Sequence, residues 1–477
     1  MEYGKLQLYI DGQWLDGGKD GEDVINPATG KALGRLPHAT TADLDRALEA
    51  AKKGFAVWRK VSPYERSKIM RKAADLLRER RDAIATEMSM DQGKVLAESK
   101  IEIGLAPDHI DWYAEEGRRT YGRVIPGRAE GVMQFAAREP VGPVAAFTPW
   151  NFPMNQAVRK VAASLAAGCS IILKGPEETP SACVALVRAF HDAGLPPGVL
   201  NLVFGVPAKV SEHLIPSPII RKISFTGSVP VGKHLAAMAG KYMKRATMEL
   251  GGHSPVVIFE DVDPAKVASI IGPFKYRNAG QVCISPTRFF VHEAVHDKFV
   301  ADFTAYTKGL KVGEGLDPAS KMGPMANPRR IDAMETFVAD AAQKGAKVQT
   351  GGKRIGNQGY FFEPTVLTDV PDDARAMNEE PFGPLALVQR FSSFDDVVTR
   401  ANRLPFGLAA YAFTRSAKTA AAIGEAIETG MITINHLGLA LPEVPFGGVK
   451  DSGYGHEGGI EGLDAYLTTK FITQVGA

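Results

Sequence analysis

The sequence predicts a multidomain α/β protein with two parallel-sheet domains and a small strand arm. Two alternating series of strand-like and helical runs carry this reading, together with an Arg/Gly-rich excursion between residues 115 and 137. A chain of 477 residues, 45% hydrophobic and 23% charged, is long enough for at least two packed cores.

The first series runs from about residue 141 to 260. Strand-like VAAFTPW, SIILK, VLNLVF, KISFTGS and PVVIF alternate with helical NQAVRKVAASLAAG and SACVALVRAFHDAG, as in a parallel sheet covered on both faces. The second series follows Cys283. Strand-like RFFVHE, LALVQRF, AAYAFT and MITIN alternate there with helical HDKFVADFTAYTKGL and SAKTAAAIGEAIE. The intervening EEGRRTYGRVIPGRAEGVMQFAAR has short alternating pieces that suit extended strand, and the C-terminal LTTKFITQ is a candidate partner for it or for another subunit. The expected division is 1–115 with 138–250 for the first domain, 251–460 for the second, and 116–137 with 461–477 for the arm.

Charge and composition remove several classes. Formal net charge is +2 and the basic residues are dispersed, which leaves no electrostatic footprint for nucleic acid. The N-terminus lacks a signal-peptide pattern and no run of about 18 apolar residues occurs, so a cytoplasmic protein without a membrane partner is expected. The three cysteines, Cys169, Cys183 and Cys283, show no CxxC and no metal spacing, so neither a disulfide framework nor a metal site is expected.

Cys169 and Cys183 sit in apolar patterns and read as buried small hydrophobes. Cys283 lies in the polar, Gly-containing KYRNAGQVCISP, where a thiol can be exposed; a nucleophile and a structural loop cysteine both fit the motif alone. Glu249 ends a strand-like run before Gly251 and Gly252, where a carboxylate can activate water or simply precede a turn. Asn151, after a strand and before Pro153 and a helix, can aim an amide into a cleft or act as an ordinary cap. Gly227 and Ser228 lead from strand into helix, which directs backbone N–H groups at an anion such as pyrophosphate, although a Gly-Ser turn is frequent. Lys174 and Glu177 follow a strand's carboxyl end, where α/β sheets bind ligands and a ribose can be held.

In chain order, PWNFP, LKGPEETP, FTGS, MELGGHSP, GQVCIS, NEEPFGP and VPFGGVKDSGYG resemble the aldehyde dehydrogenase superfamily from end to end. The resemblance implies a Rossmann-like cofactor domain, a catalytic domain carrying the thiol, and an arm that builds homodimers or homotetramers. It makes Cys283 the nucleophile, Asn151 with the Cys283 N–H the oxyanion donors, and Glu249 the general base. Lys160 matches a family lysine held to relay protons, with a solvated or paired lysine as the alternative. Trp150, Lys174, Glu177, Gly227, Ser228, Leu250, Glu380 and Phe382 fall at the family's dinucleotide positions. Glu177 favours NAD, because a carboxylate accepts ribose hydroxyls and repels a 2′-phosphate, while Lys174 leaves NADP open.

NQAVRKV, EEGRRTYGR, RNAGQVCIS and PEVPFGGVKDSGYG are most similar to the succinate- and 2-oxoglutarate-semialdehyde branch. Arg159, eight residues after Asn151, and Arg277, six before Cys283, are candidates to bind the far carboxylate of such a substrate; pairing with a neighbouring acid or burial in a subunit interface are the alternatives. Ser285 stands where some relatives carry a second cysteine, so no local redox switch is expected. Ser285 and Gln156 are further candidates to contact substrate, beside an apolar wall from NHLGLALPEVPF. A CoA-acylating enzyme, a cysteine hydrolase and a non-catalytic protein on the same fold are the competing readings. The intact ELGG opposes the first, the Gly227/Ser228 turn with Lys174 and Glu380 the second, and the combination of Cys283, Glu249 and Asn151 the third.

Overall fold

Strand-like runs that are apolar on both faces become the buried centres of two sheets. The computed structural model describes residues 3–475. The first sheet runs Gln13–Leu15, Leu8–Ile10, Leu200–Val203, Ile171–Lys174, Val144–Phe147, Lys222–Thr226, Arg245–Glu249, Gly453–Tyr454. Its five central strands are parallel and stand in the spatial order third, second, first, fourth, fifth of their chain order. This doubly wound arrangement reverses direction between Val144–Phe147 and Lys222–Thr226, and the carboxyl ends at such a switch point form a crevice. Pro149, Trp150, Gly227 and Ser228 follow those two strands and line a cavity there.

The second sheet runs Lys347–Thr350, Thr365–Thr368, Leu385–Phe391, Pro286–His292, Ser254–Ile258, Ala409–Phe413, Met431–Ile434, parallel except for the first. The run PVVIF, expected with the first series, is the centre of this second sheet. The chain crosses from one sheet to the other within four residues, between Glu249 and Ser254. A strand's residue types report burial but not which sheet buries it. Consequently the carboxyl ends of the first sheet's strands meet the segments that enter the second sheet: Leu250–Gly251, Cys283 and Glu380–Phe382.

Two further expectations are corrected in detail. The boundary expected at 137 falls inside Val132–Pro140, which pairs with Arg123–Pro126 and Leu467–Val475 to make a three-stranded antiparallel arm. Gly453–Tyr454, expected in the second domain, hydrogen-bonds to the edge of the first sheet beside Met248 and Glu249.

Four helices left unread in the sequence, Thr41–Trp58, Pro63–Glu79, Arg81–Gln92 and Leu96–Glu116, precede the arm. Apolar residues such as Trp58, Met70, Ile103 and Ile110 bury them against helix Pro153–Ala167 and the first sheet. Burial of side chains of that size stabilises by about 1.5–3 kcal/mol each. The turn between the last two helices and the start of Leu96–Glu116 supply buried charges to the site described below.

Candidate functional site

Cys283 lies where two cavities meet. One, of about 440 Å³, is lined by Phe152, Gln156, Arg159, Phe274, Arg277, Val282, Ile284, Leu437 and Phe446 as well as Cys283. The other, of about 510 Å³, joins Cys283 to Trp150, Asn151, Glu249, Leu250, Glu380 and Phe382. Gln156 reaches both. A third cavity, of about 670 Å³, continues past Gly227 and Ser228 to Lys174 and Glu177.

The chain approaches Cys283 through a left-handed turn. Asn278, Ala279 and Gly280 take φ of +48°, +52° and +71° in succession. For a non-glycine residue this conformation costs on the order of 1–3 kcal/mol, so surrounding bonds must hold it. Asn278 N–H donates to the Glu98 carboxylate at 2.8 Å, and its side-chain amide donates to the Asn151 carbonyl at 3.0 Å. Gln281 Nε2 returns to the Asn278 carbonyl at 3.0 Å. Gly280 backs onto the Gly383–Pro384 backbone so closely that a Cβ there would collide with it.

Asn151 is fixed from both ends. Its Nδ2 donates to the Gln281 carbonyl at 3.1 Å, while its Oδ1 has no partner among the described residues. Its carbonyl accepts from Lys94 Nζ at 2.8 Å. Lys94 is fully buried, paired with Glu102 at 2.5 Å and lies over the Phe152 ring at 3.9 Å. The other Glu102 oxygen accepts from the N–H groups of Met154 and Asn155, which caps helix Pro153–Ala167 from a distant part of the chain. Lys94, Glu98, Glu102 and Asn278 were not singled out in the sequence. None of them stands in a local pattern that marks a site, because these residues act across the fold.

The thiol of Cys283 is pushed up to about 12, chiefly by burial and then by the carboxylates of Glu380 and Glu249, against the opposing pull of Arg159 and Arg277. Glu249 ends strand Arg245–Glu249, and neither of its carboxylate oxygens has a hydrogen-bond partner among the described residues. Burial and the neighbouring Glu457 raise it well above the usual carboxylate range. Lys160, on helix Pro153–Ala167, is completely buried; its Nζ donates to Thr226 Oγ1 at 2.6 Å and to the Glu457 carboxylate. Glu457 is a further buried acid that the sequence reading missed, since HEGG at the start of a short helix resembles any polar turn.

On the dinucleotide side, Ser228 precedes helix Val229–Lys241 without a side-chain cap, which leaves its first N–H groups directed into the cleft. Trp150 and Phe382 meet edge to face, ring centroids 5.5 Å apart. Glu380 accepts from Gly252 N–H at 3.2 Å, and burial pushes its carboxyl up to about 7. A Cβ on Gly251 would collide with that carboxylate, so this glycine gives the close approach of the two loops. Lys174 donates to Glu177 at 2.7 Å, and Gly205 N–H to the other Glu177 oxygen at 3.3 Å. An uncapped helix start, a deep cleft at the switch point and a carboxylate at its end suit a dinucleotide.

Arg159 and Arg277 share the first cavity. Arg159 is 3% exposed and lies over the Phe446 ring at 4.4 Å. Arg277 stacks over Phe274 at 3.9 Å. Neither makes an ion pair within 4 Å among the described residues, and the Nε of each lacks a partner. Ser285 is turned the other way. Its hydroxyl is buried against Lys275 Nζ at 3.2 Å and lines neither cavity, so its expected contact with substrate is corrected: two residues past Cys283, the chain already points its side chain into the second core.

A half-buried thiol between an arginine-lined funnel and a dinucleotide cleft, with an amide and a carboxylate converging on it, describes a thiol-dependent dehydrogenase, and the chain belongs to the aldehyde dehydrogenase family, whose profile matches residues 14–472. It is 47% identical to 4-(hydroxymethyl)benzenesulfonate dehydrogenase of Comamonas testosteroni over 98% of both chains. It is 42% identical to glutarate-semialdehyde dehydrogenase of Pseudomonas putida over 98% of this chain and 97% of that one. The crystal structure of succinate-semialdehyde dehydrogenase from Burkholderia pseudomallei superposes with a TM-score of 0.97 at 41% identity, covering 99% of this chain and 98% of that one. The activity is NAD(P)-dependent oxidation of an aldehyde. Among the described residues no helix is long and apolar enough to cross a membrane, and no cluster suits a metal ion.

Proposed function

We propose that this enzyme oxidises an aldehyde bearing a carboxylate at its far end, a semialdehyde, to the acid through a thioester on Cys283. The observation that carries this reading is the pair Arg159, buried, and Arg277, half-buried: two guanidiniums in the cavity that reaches the thiol, neither in an ion pair within 4 Å among the described residues although Glu98 and Glu102 line the same cavity. An unpaired buried charge is costly, and a substrate anion offsets that cost by accepting charge-assisted hydrogen bonds. The walls between, Phe152, Phe274, Ile284, Leu437 and Phe446, suit a carbon spacer. Succinate and 2-oxoglutarate semialdehydes both fit this description.

Cys283 attacks the carbonyl carbon after losing its proton, and the new oxyanion is held by Asn151 Nδ2 and the Cys283 N–H. Arg159 and Arg277 favour the thiolate. When bound, a nicotinamide dinucleotide supplies the hydride acceptor that the oxidation needs. Trp150, Gly227, Ser228, Leu250, Glu380 and Phe382 hold and orient it, with Lys174 and Glu177 at the adenosine ribose. Glu249 then takes a proton from water as it attacks the thioester, and Lys160 passes that proton on to Glu457. Gln156, between the two cavities, positions the aldehyde.

NAD is the preferred cofactor, because the Glu177 carboxylate repels a 2′-phosphate. The arm joins subunits into a homodimer or homotetramer: Val124, Met133, Phe471 and Val475 expose large apolar side chains on it.

A sulfonate is the anion of a second reading. The 47% relative named for a benzenesulfonate favours it, as do the phenylalanine walls, which accept an aromatic spacer. The test is the rate of nicotinamide reduction with succinate semialdehyde, 2-oxoglutarate semialdehyde, glutarate semialdehyde, 4-formylbenzenesulfonate and propanal, each with NAD and with NADP. The highest kcat/KM is expected for a carboxylate semialdehyde with NAD. A sulfonate at the top transfers the reading to that anion, and propanal at the top ends the anion-pocket reading.

A further inference from the structure

Beneath Glu249 the first sheet carries a polar ladder. Lys222, Ser224 and Thr226 alternate along one strand, and Thr247 and Glu249 along the next, in parallel register with Ser224 beside Thr247 and Thr226 beside Glu249. A period of two puts all five on one face of the sheet. Lys160 and Glu457 pack on that face at its upper end, through Lys160 Nζ to Thr226 at 2.6 Å and Ser224 Oγ to Glu457 at 3.4 Å. At the lower end Lys222 is 1% exposed, donates to Thr247 Oγ1 at 2.6 Å and lies over the Tyr466 ring at 4.9 Å.

The ladder encloses two buried carboxylates, Glu249 and Glu457, three of whose four oxygens have no hydrogen-bond partner among the described residues. Among the described residues, Lys160 is the only cation that bonds to either. With Lys160 bonded to Glu457 and no cation bonded to Glu249 among the described residues, Glu249 holds a proton more tightly, because its negative charge is poorly solvated and faces the charge of Glu457. A base that must accept a proton from water is disabled in that state.

We propose that Lys222 is a positioning residue for thioester hydrolysis: as the second cation of this cluster, it acts through Glu457 to lower the proton affinity of Glu249 and keep the base ionised. The inference rests on the reading of Glu249 as the general base. The other groups that face the cluster are Arg159 from the helix above, Tyr113, whose hydroxyl accepts from Gly458 N–H at 2.8 Å, and Tyr466, with Cys169 and Arg245 near Lys222. Burial draws the Lys222 ammonium down to about 7, although Glu457 opposes this.

The test is the pH dependence of kcat for aldehyde oxidation in wild type, Lys222→Met, Lys222→Arg and Glu249→Gln. Loss of a cation raises the proton affinity of Glu249, so the acid limb in Lys222→Met moves to higher pH by on the order of one unit. The resulting loss is roughly tenfold and confined to the acid side. Lys222→Arg returns the limb towards its original position, and KM for the aldehyde stays unchanged. A limb that does not move, or a loss equal at every pH, overturns the inference and assigns Lys222 to packing alone. Turnover that survives in Glu249→Gln instead removes the general-base reading, and the inference falls with it. If Lys222→Met does not fold, Thr247→Val carries the test: without its hydroxyl partner the ammonium is harder to keep charged, and the limb moves the same way by a smaller amount.

Discussion

The side-chain amide of Asn151 donates to the backbone carbonyl of Gln281 at 3.1 Å, which ties the proposed oxyanion donor to the chain two residues before Cys283, the proposed nucleophile. Donor and thiol therefore move as one unit even though they come from different sheets. Asn278 closes the tie by donating to the Asn151 carbonyl and, at 3.3 Å, to the same Gln281 carbonyl.

Removing that donor removes stabilisation that develops only in the transition state. Asn151→Ala is expected to lower kcat by about 10²–10³-fold with little change in the aldehyde KM. Steady-state kinetics check this, with a thermal melt to separate it from unfolding.

The two arginines give a discrimination rather than a uniform loss. Arg159→Met or Arg277→Met is expected to raise KM for an acidic semialdehyde by roughly 10–100-fold, the equivalent of about 1.5–3 kcal/mol for a charge-assisted hydrogen bond, while propanal changes little. Equal losses on both substrates assign the arginines to packing.

As the proposed general base, Glu249 makes hydrolysis dependent on pH in a definite direction. Burial favours its neutral form and lifts its pKa well above the carboxylate range, so the base is lost as pH falls towards that raised value. The acid limb of kcat is expected at a clearly higher pH than that of an ordinary glutamate. In Glu249→Gln one equivalent of reduced nicotinamide per thiol should appear as a burst with almost no further turnover, visible by stopped-flow absorbance.

Cofactor choice is tested at Glu177, which pairs with Lys174 at 2.7 Å. Glu177→Gln removes the charge that opposes a 2′-phosphate and frees Lys174 to meet it. The kcat/KM ratio of NADP to NAD is expected to rise by about tenfold or more. An unchanged ratio places discrimination elsewhere in the cleft.

Lys94 provides the stability test. It is a buried cation bonded to Glu102 and to the Asn151 carbonyl. Lys94→Met strands the Glu102 charge, which costs about 3–5 kcal/mol, and a thermal or urea melt should report it alongside a fall in kcat as Asn151 loosens.

By itself the sequence determined what is local. Apolar runs bounded by Gly and Pro gave most strands of both sheets; Cys283, Glu249 and Asn151 each pair a reactive side chain with a turn or strand end, which made them candidates, and the order of the motifs around them, resembling one family, gave them their expected roles. Tertiary structure decided everything that depends on which neighbour a residue meets. Periodicity specifies a face but not its partner, so Ser254–Ile258 could be read as a strand without its neighbours, Pro286–His292 and Ala409–Phe413, being legible. Whether Arg159 and Arg277 were paired was open for the same reason, since an acid anywhere in the chain might have met them. Ser285 turned into the core beside Lys275 instead of towards the cavity. Lys94, Glu102, Asn278 and Glu457 carry no signal beyond being polar; only the packing of distant segments buries them, and burial is what turns an ordinary charge into one that must be bonded.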